Sequence, residues 1–284
     1  MGILNTPGVY AMLEDPYRKA HAIPSTDITL VGGPTVLFTY AGLTVLTDPT
    51  FDAPGEFPVA GTPLVMTKTD GPGVALEDLP DIDLVLLSHD EHEDNLDNSG
   101  RELAQGVEHV VSTAEAGQRE DWIQGREAWQ ETTLTAPDGS AVHITAVPAL
   151  HGPEGCEPVS GTVTGFVLHA DGLPNVYVSG DNASPALAGQ VAERFPETSL
   201  AILFAGGVRH GEQMLDNQPL TMTSEDTARV AGLFPQAQVV PAHIDGWAHS
   251  REHADQLQAA FEAAGVADRL HLLAPGESTT LELA

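Results

Sequence analysis

The stretch DLVLLSHDEHEDNLD, from Asp83 to Asp97, predicts both a central strand and a functional site in this 284-residue chain. Its apolar run, residues 84–87, is typical of a buried strand. Two histidines and four carboxylates follow between residues 89 and 94. Carboxylates at that density repel one another, and a bound cation would offset their charge. The stretch therefore predicts a strand that ends in a metal site.

Four other predicted strands also end in a side chain that can bind a metal. These side chains are Asp48, His151, Asp181 and His243. Proteins of the α/β class usually build their sites from loops at one edge of a sheet. We therefore expect these residues to gather around the cluster at residues 89–95.

Strand-like segments precede helical segments in each half of the chain, which predicts an α/β fold with two mixed sheets packed together and helices outside. Residues 1–24 are expected to form a lead-in and residues 25–284 a single domain. Residues 51–80, rich in Pro, Gly and Asp, are expected to be a long loop. The pattern also predicts a helix over 250–264, with Ser250 as its N-cap, and a strand over 270–274.

The composition argues against several classes of protein. The chain has 41 acidic and 11 basic residues, a formal charge of −30, which opposes binding to nucleic acid or anionic membranes. It has no apolar run of about 18 residues, and residues 1–20 lack a basic stretch followed by an apolar core, so we expect no secretory signal there. With one cysteine, Cys156, no disulfide forms within the chain. We expect a cytoplasmic protein that acts on a small molecule, and the sequence does not determine its oligomeric state.

Five motifs in order resemble the metallo-β-lactamase superfamily, and most closely its branch of ascorbate-phosphate lactonase-like proteins. They are TVLFTYAGLTVLTDPTFD, LLSHDEHEDNLDNSGR, VPALHGPEG, VYVSGDN and VVPAHIDGWAH. The resemblance covers residues from about 27 to 275. It implies a four-layer αββα sandwich and a metal-dependent hydrolase.

The superfamily motif is His-x-His-x-Asp-His, followed by a single His, a bridging Asp and a final His. His151, Asp181 and His243 match the last three positions. The first motif departs from the pattern and leaves two registers open. In one, the four positions fall on Asp90, His92, Asp94 and Asn95; in the other, one residue is inserted and His89 is the first ligand. The favoured set of metal ligands is His89, His92, Asp94, His151, Asp181 and His243, with Asn95 as a weak ligand or a supporting residue.

The resemblance also implies roles for the surrounding residues. Asp94 would orient the attacking water and accept its proton, and Asp48 and Asp90 would support the ligands. Candidate substrate-binding residues are Arg209, His210, Trp247 and His249. Because an amide is a weaker donor than imidazole, Asn95 weakens the second metal position, and one or two ions of Zn, Mn or Fe fit the set.

The predicted function is therefore hydrolysis of a small-molecule ester or lactone by a metal-activated water. The alternative is a member of the fold that binds metal without catalysis, since the first motif is irregular. A metallo-nuclease or phosphodiesterase is a poorer fit, because the charge of −30 opposes polyanion binding.

Overall fold

The structure is a computed structural model that describes residues 24–59, 64–211 and 215–283. The lead-in expected at residues 1–24 lies, except for its last residue, outside the described residues. The strands of the described part are Ser25–Gly32 (β1), Thr35–Tyr40 (β2), Leu43–Thr47 (β3), Gly55–Pro58 (β4), Val65–Lys68 (β5), Leu84–Leu86 (β6), His109–Thr113 (β7), Gln124–Arg126 (β8), Glu131–Thr135 (β9), Ala141–Pro148 (β10), Thr164–His169 (β11), Asn175–Val178 (β12), Thr198–Phe204 (β13), Gln238–Ala242 (β14) and Ser278–Glu282 (β15).

Helices are fewer and lie between strands. The α-helices of the described part are Asn98–Gln105 (α1), Ala114–Arg119 (α2), Glu157–Ser160 (α3), Pro185–Arg194 (α4), Ser224–Leu233 (α5) and Ala254–Ala264 (α6). Among the residues that the structure describes, no helix combines the length and the apolar character needed to cross a membrane.

The strands form two mixed sheets. The first sheet has the order β15-β1-β2-β3-β6-β7-β8, and the second has the order β14-β13-β12-β11-β10-β9. In the first sheet β3, β6, β7 and β8 run parallel to one another, and in the second β12, β13 and β14 do. The antiparallel turn between β2 and β3 has positive φ angles at Ala41 and Gly42, as a two-residue hairpin of this hand requires.

The core explains why the two sheets lie face to face. One apolar cluster, which includes Phe38, Leu86, Phe166 and Ile202, fills the space between the sheets. A second covers the other face of the second sheet with α4, α5 and α6, and a third covers the other face of the first sheet with α1 and α2. Strand β13 is buried at every residue because it has a partner layer on both faces. The predicted αββα order of layers is confirmed.

Three local predictions were wrong. Residues 51–80 are not one long loop, because β4 and β5 pair as an antiparallel hairpin. The last long helix begins at Ala254 rather than near Ser250, since the amides of Arg251 and Glu252 donate to the Gly206 carbonyl instead of entering a helix. Residues 270–274 form no strand; Leu270 makes only an isolated bridge to Val239.

Candidate metal centre

The predicted strand ends do meet at one place. Asp48 follows β3, His89 follows β6, and both strands run parallel in the first sheet. Asp181 and His243 follow β12 and β14 of the second sheet. Asp48 and His243 have φ angles of 30° and 60°, which non-glycine residues adopt at an energetic cost and mostly at functional sites. The fold therefore holds two site residues in strained backbone conformations.

A first group of three histidines gathers at this edge: His89, His92 and His151, which we call the first group. The Nδ1 atom of His92 lies 2.7 Å from Nε2 of His89 and 3.3 Å from Nε2 of His151. Nitrogen ligands of one tetrahedral ion, bound at about 2.0–2.1 Å, lie about 3.3 Å apart. The three nitrogens therefore stand at nearly the spacing that one ion requires.

Hydrogen bonds set the tautomers of two of these rings. The Ser88 hydroxyl donates to Asp48 Oδ1 at 2.6 Å, so the Nδ1–H of His89 donates to Ser88 Oγ at 2.9 Å. The Nδ1–H of His151 donates to the Leu220 carbonyl at 2.8 Å, because a carbonyl can only accept. Both rings therefore keep their Nε2 lone pairs free for a metal, the arrangement that supporting residues give to ligating histidines.

A second group lies beside the first: Asp94, His243 and His249, all buried, which we call the second group. Asp94 Oδ2 lies 2.8 Å from His249 Nε2 and 3.4 Å from His243 Nε2. The two histidines belong to the loop between β14 and α6. A Cβ atom on Gly206 would lie 2.1 Å from the His243 carbonyl oxygen, so that loop packs against backbone without room for a side chain.

Asp181 lies between the two groups. Its Oδ2 is 3.6 Å from His151 Nε2 of the first group, and its Oδ1 is 3.6 Å from His243 Nε2 of the second. One carboxylate therefore presents one oxygen to each group, as a bridging ligand would.

Burial and neighbouring charges shift the pKa values of His89 and His92 downward and that of His243 upward. Burial, with the His92 and His151 imidazoles, holds the pKa of His89 well below its ordinary value, and burial with His151 lowers the pKa of His92 to about 4. Burial opposes the shift at His243, but Asp181 and Asp94 raise its pKa to about 9. Burial raises the pKa of Asp94, yet His249 and His243 outweigh it and hold that pKa well below the ordinary range.

Several buried polar atoms of these residues lack a hydrogen-bond partner within the described part of the chain. They are Asp94 Oδ1, Asp181 Oδ2 and both ring nitrogens of His243. Leaving such an atom unpaired costs roughly 1–3 kcal/mol. A cation would satisfy them, and imidazole with carboxylate suits zinc, manganese or iron. The residues present thus fit a bound divalent metal.

Asn95 and Asp48 lie behind the ligand candidates. The Asn95 amide nitrogen donates to Asp48 Oδ1, Ser88 Oγ and Asp181 Oδ1, each at 3.2 Å. Burial raises the pKa of Asp48 to about 8, against the hydrogen bonds from Ser88 and Asn95. The nitrogen end of Asn95 thus orients acceptors, as a supporting residue does.

The two possible first ligands, His89 and Asp90, face different neighbours in the structure. Asp90 turns away from the histidines: its carboxylate pairs with Arg119, and its carbonyl accepts a hydrogen bond from Arg101 at 3.2 Å. His89 instead stands beside His92 and His151. The geometry places His89, not Asp90, among the candidate ligands.

The four expected substrate-binding residues lie in different places. Arg209 bonds to the Gly207 carbonyl at 3.1 Å and lies 3.5 Å from Glu252, at a surface cavity that no residue of either group lines. Trp247 is buried against Phe57 of the β4–β5 hairpin. The His210 ring lies 5.0 Å from that of His249. Burial is the main cause that lowers the pKa of His210 to about 4, and the neighbouring His249 contributes less.

The sequence reasoning missed the place of His249 and the part of Ser88. His249 was expected at the substrate but lies within the second group. The signal available was the close spacing of two histidines in HIDGWAH, residues 243–249. Ser88 stood in the cluster without a role, and the Leu220 carbonyl, which orients His151, gave no sequence signal.

Comparisons with known proteins agree with this picture. The profile of a β-lactamase superfamily domain matches residues 44–244. A protein of Anaeromyxobacter sp. (strain K), described as a UPF0173 metal-dependent hydrolase, is 27% identical over 265 residues, which cover 89% of this chain and 85% of the relative. A protein of the same description from Anaeromyxobacter dehalogenans (strain 2CP-C) is 26% identical over 268 residues, with the same coverage.

Solved structures match along nearly the whole chain. The isothiocyanate hydrolase from Delia radicum gut bacteria superposes with a TM-score of 0.74 at 21% identity, covering 91% of this chain and 100% of that one. A possible metal-dependent hydrolase from Veillonella parvula gives a TM-score of 0.76 at 19% identity, with the same coverage. At these identities the two matches establish a shared fold.

Proposed function

The chain belongs to the β-lactamase superfamily domain family, and from that premise we propose that it is a metal-dependent hydrolase that cleaves a small-molecule ester or lactone. The observation that carries the proposal is the convergence of the first group, in which three imidazoles, those of His89 and His151 buried, bring ligand nitrogens within about one ion's reach. Relatives described as metal-dependent hydrolases support the same class of activity.

His89, His92, His151 and Asp181 would hold the ion. The pKa values of His89 and His92 lie below their ordinary values, so both rings are neutral at neutral pH, as ligation requires. A bound divalent ion supplies Lewis acidity: it lowers the pKa of water and polarises a substrate carbonyl.

Asp94 is the residue that we assign to the attacking water. Its pKa is held well below the ordinary range, so it is ionised at neutral pH and can accept a hydrogen bond. Its Oδ1 has no partner among the residues described, whereas its Oδ2 faces His249 at 2.8 Å. We place the hydrogen bond from water, and the proton that water gives up, at Oδ1.

The substrate class is proposed on two grounds. The motif resemblance favours lactone or ester cleavage, and the formal charge of −30 disfavours a polyanionic substrate. In an ester or a lactone, a Lewis acid can polarise the carbonyl group while an oriented water attacks its carbon.

The test is a panel of lactones and esters assayed with protein purified without added metal. We expect metal to co-purify, a chelator to abolish hydrolysis, and Asp94→Ala to lower turnover by more than about 100-fold, since even changes to supporting residues cost about 10–100-fold. Asp171→Ala, an exposed aspartate in the turn between β11 and β12, is the matched control and should behave as the parent. The proposal fails when no metal co-purifies or restores activity, or when Asp94→Ala hydrolyses the panel as well as the parent.

A further inference from the structure

We infer that His249 is a ligand of a second divalent ion, which it holds together with Asp94, His243 and one oxygen of Asp181. The inference rests on the proposed function, because it assumes that the centre binds metal. It assigns to His249 a place in the metal centre instead of at the substrate.

The spacing of the second group carries the inference first. His243 Nε2 lies 3.4 Å from Asp94 Oδ2 and 3.6 Å from Asp181 Oδ1, close to the separation of about 3.3 Å expected for two ligands of one tetrahedral ion. His249 Nε2 joins the same set at 2.8 Å from Asp94 Oδ2. The ligand atoms of Asp94, His243 and His249 all lie within 4.8 Å of one another.

Burial gives an independent argument. His243 is fully buried, and neither of its ring nitrogens has a hydrogen-bond partner among the residues that the structure describes. Buried polar atoms of a folded protein almost always have a partner. A second ion would give His243 one, at the nitrogen that points toward both carboxylates.

Asn95 follows Asp94 in the chain, and the nitrogen end of its amide faces the Asp181 carboxylate. Its amide nitrogen lies 3.2 Å from Asp181 Oδ1 and donates a hydrogen bond there. An amide N–H has no lone pair for a cation. The further imidazole of the second group is that of His249, from the loop between β14 and α6.

The loop that carries His249 is fixed on both sides of that residue. The Arg209 amide donates to the His249 carbonyl at 3.2 Å, and the Ala248 amide donates to the Thr67 carbonyl of β5 at 2.9 Å. The His249 side chain is itself nearly buried, at 5% exposure. A ligand on a loop needs such support to keep its geometry.

The experiment counts ions. Metal-free protein is dialysed against Zn²⁺ alone, and bound zinc per chain is measured by elemental analysis for the parent, His249→Ala and the control His143→Ala. His143 suits as control because its imidazole pairs with Glu131 on the second sheet, away from both groups. We expect two zinc ions in the parent and the control, and one in His249→Ala, with Co²⁺ absorption bands that lose intensity by about half.

The outcomes separate the two claims. Two ions in both the parent and His249→Ala, or one ion in both, would overturn the assignment of His249 while leaving a metal enzyme in place. No ion in the parent would remove the proposed function itself. His249→Gly with free imidazole added gives a second test: return of the second ion supports direct ligation, and failure to bind it while the first ion is retained contradicts it.

Should His249→Ala lose its circular dichroism signal, His249→Gln, which fills a similar volume, replaces it in the count. A glutamine variant that keeps the second ion at parental affinity counts against the inference, and one in which that affinity falls by more than about 100-fold supports it.

Discussion

The first and second groups lie side by side, yet they are held together by different forces. In the first group, burial lowers the pKa of His89 and His92, and Ser88 and the Leu220 carbonyl orient the rings of His89 and His151 from behind. The second group places Asp94 between His249 and His243, so opposite charges hold it. Hydrogen bonds from behind thus orient the first group, whereas attraction between Asp94 and the histidines beside it holds the second group.

The difference teaches how each group responds to a metal. In the first group, His89 and His151 donate from Nδ1 and present a lone pair at Nε2. A metal therefore displaces no proton from either Nε2 atom. Asp181 and Asp94 raise the pKa of His243 to about 9, so this ring must give up a proton before it can ligate. We therefore expect the first group to bind metal more tightly at neutral pH.

The largest effect is expected where the two groups share a residue. Asp181→Asn removes the charge that faces His151 and His243 at 3.6 Å each, so metal affinity should fall in both groups and turnover by more than about 100-fold. Isothermal titration of metal-free protein with Zn²⁺ checks this, with Asp171→Asn as the control. Full affinity retained at either group would show that one carboxylate does not serve both.

A smaller and one-sided effect is expected behind the first group. Ser88→Ala removes the oxygen that accepts from His89 Nδ1 at 2.9 Å, so Zn²⁺ affinity should fall about 10–100-fold at the first group and stay unchanged at the second. A competition titration with a chromophoric chelator resolves the two affinities.

Ser112→Ala is the matched control, because it deletes a buried hydroxyl from the neighbouring β7 that has no partner among the described residues. If Ser88→Ala lowers the Zn²⁺ affinity of both groups equally, Ser88 supports both groups, and the two groups are not held by different forces.

The smallest effect concerns the stability of the metal-free protein, and its sign differs between the groups. His92, with its pKa lowered to about 4, binds fewer protons folded than unfolded, so stability is lost as pH falls from about 6.5 toward 4. His243, with its pKa raised to about 9, binds more, so its contribution is lost as pH rises from about 6.5 through 9. Each slope approaches about 1.4 kcal/mol per pH unit.

Urea denaturation of chelator-treated protein between about pH 4 and pH 10 measures both slopes. His92→Gln should flatten the acid side alone and His243→Gln the alkaline side alone. Equal changes on both sides in either variant would show that the groups titrate as one unit.

The sequence predicted the layers because their signal is local. A strand with one buried face alternates apolar and polar residues, whereas runs such as residues 84–87 and 198–204 are mostly apolar throughout. Both runs contain strands that are covered on both faces. The resemblance to the metallo-β-lactamase superfamily was confirmed by the family profile, which matches residues 44–244. The strand ends themselves brought Asp48, His89, His151, Asp181 and His243 to one edge.

What escaped prediction depends on contacts between distant segments. Residues 55–68 read as loop because their pairing relies on a partner strand and on Trp247, far along the chain. Ser250 looked like an N-cap, but the Gly206 carbonyl takes up the amides that would have begun the helix. His249 joins Asp94 across 155 residues, a distance over which no periodic pattern carries information.

Lys68 gives this centre a property of use in the laboratory. Lys68 is 4% exposed, and its ammonium lies 2.9 Å from Asp97 Oδ2 and 5.5 Å from the ring of Trp247, two residues before His249. An amine-reactive reagent can reach it only when β5 separates from the loop that carries His249. The rate at which Lys68 is labelled, followed by mass spectrometry, therefore measures how often this side of the centre opens. Saturation with metal should lower that labelling rate.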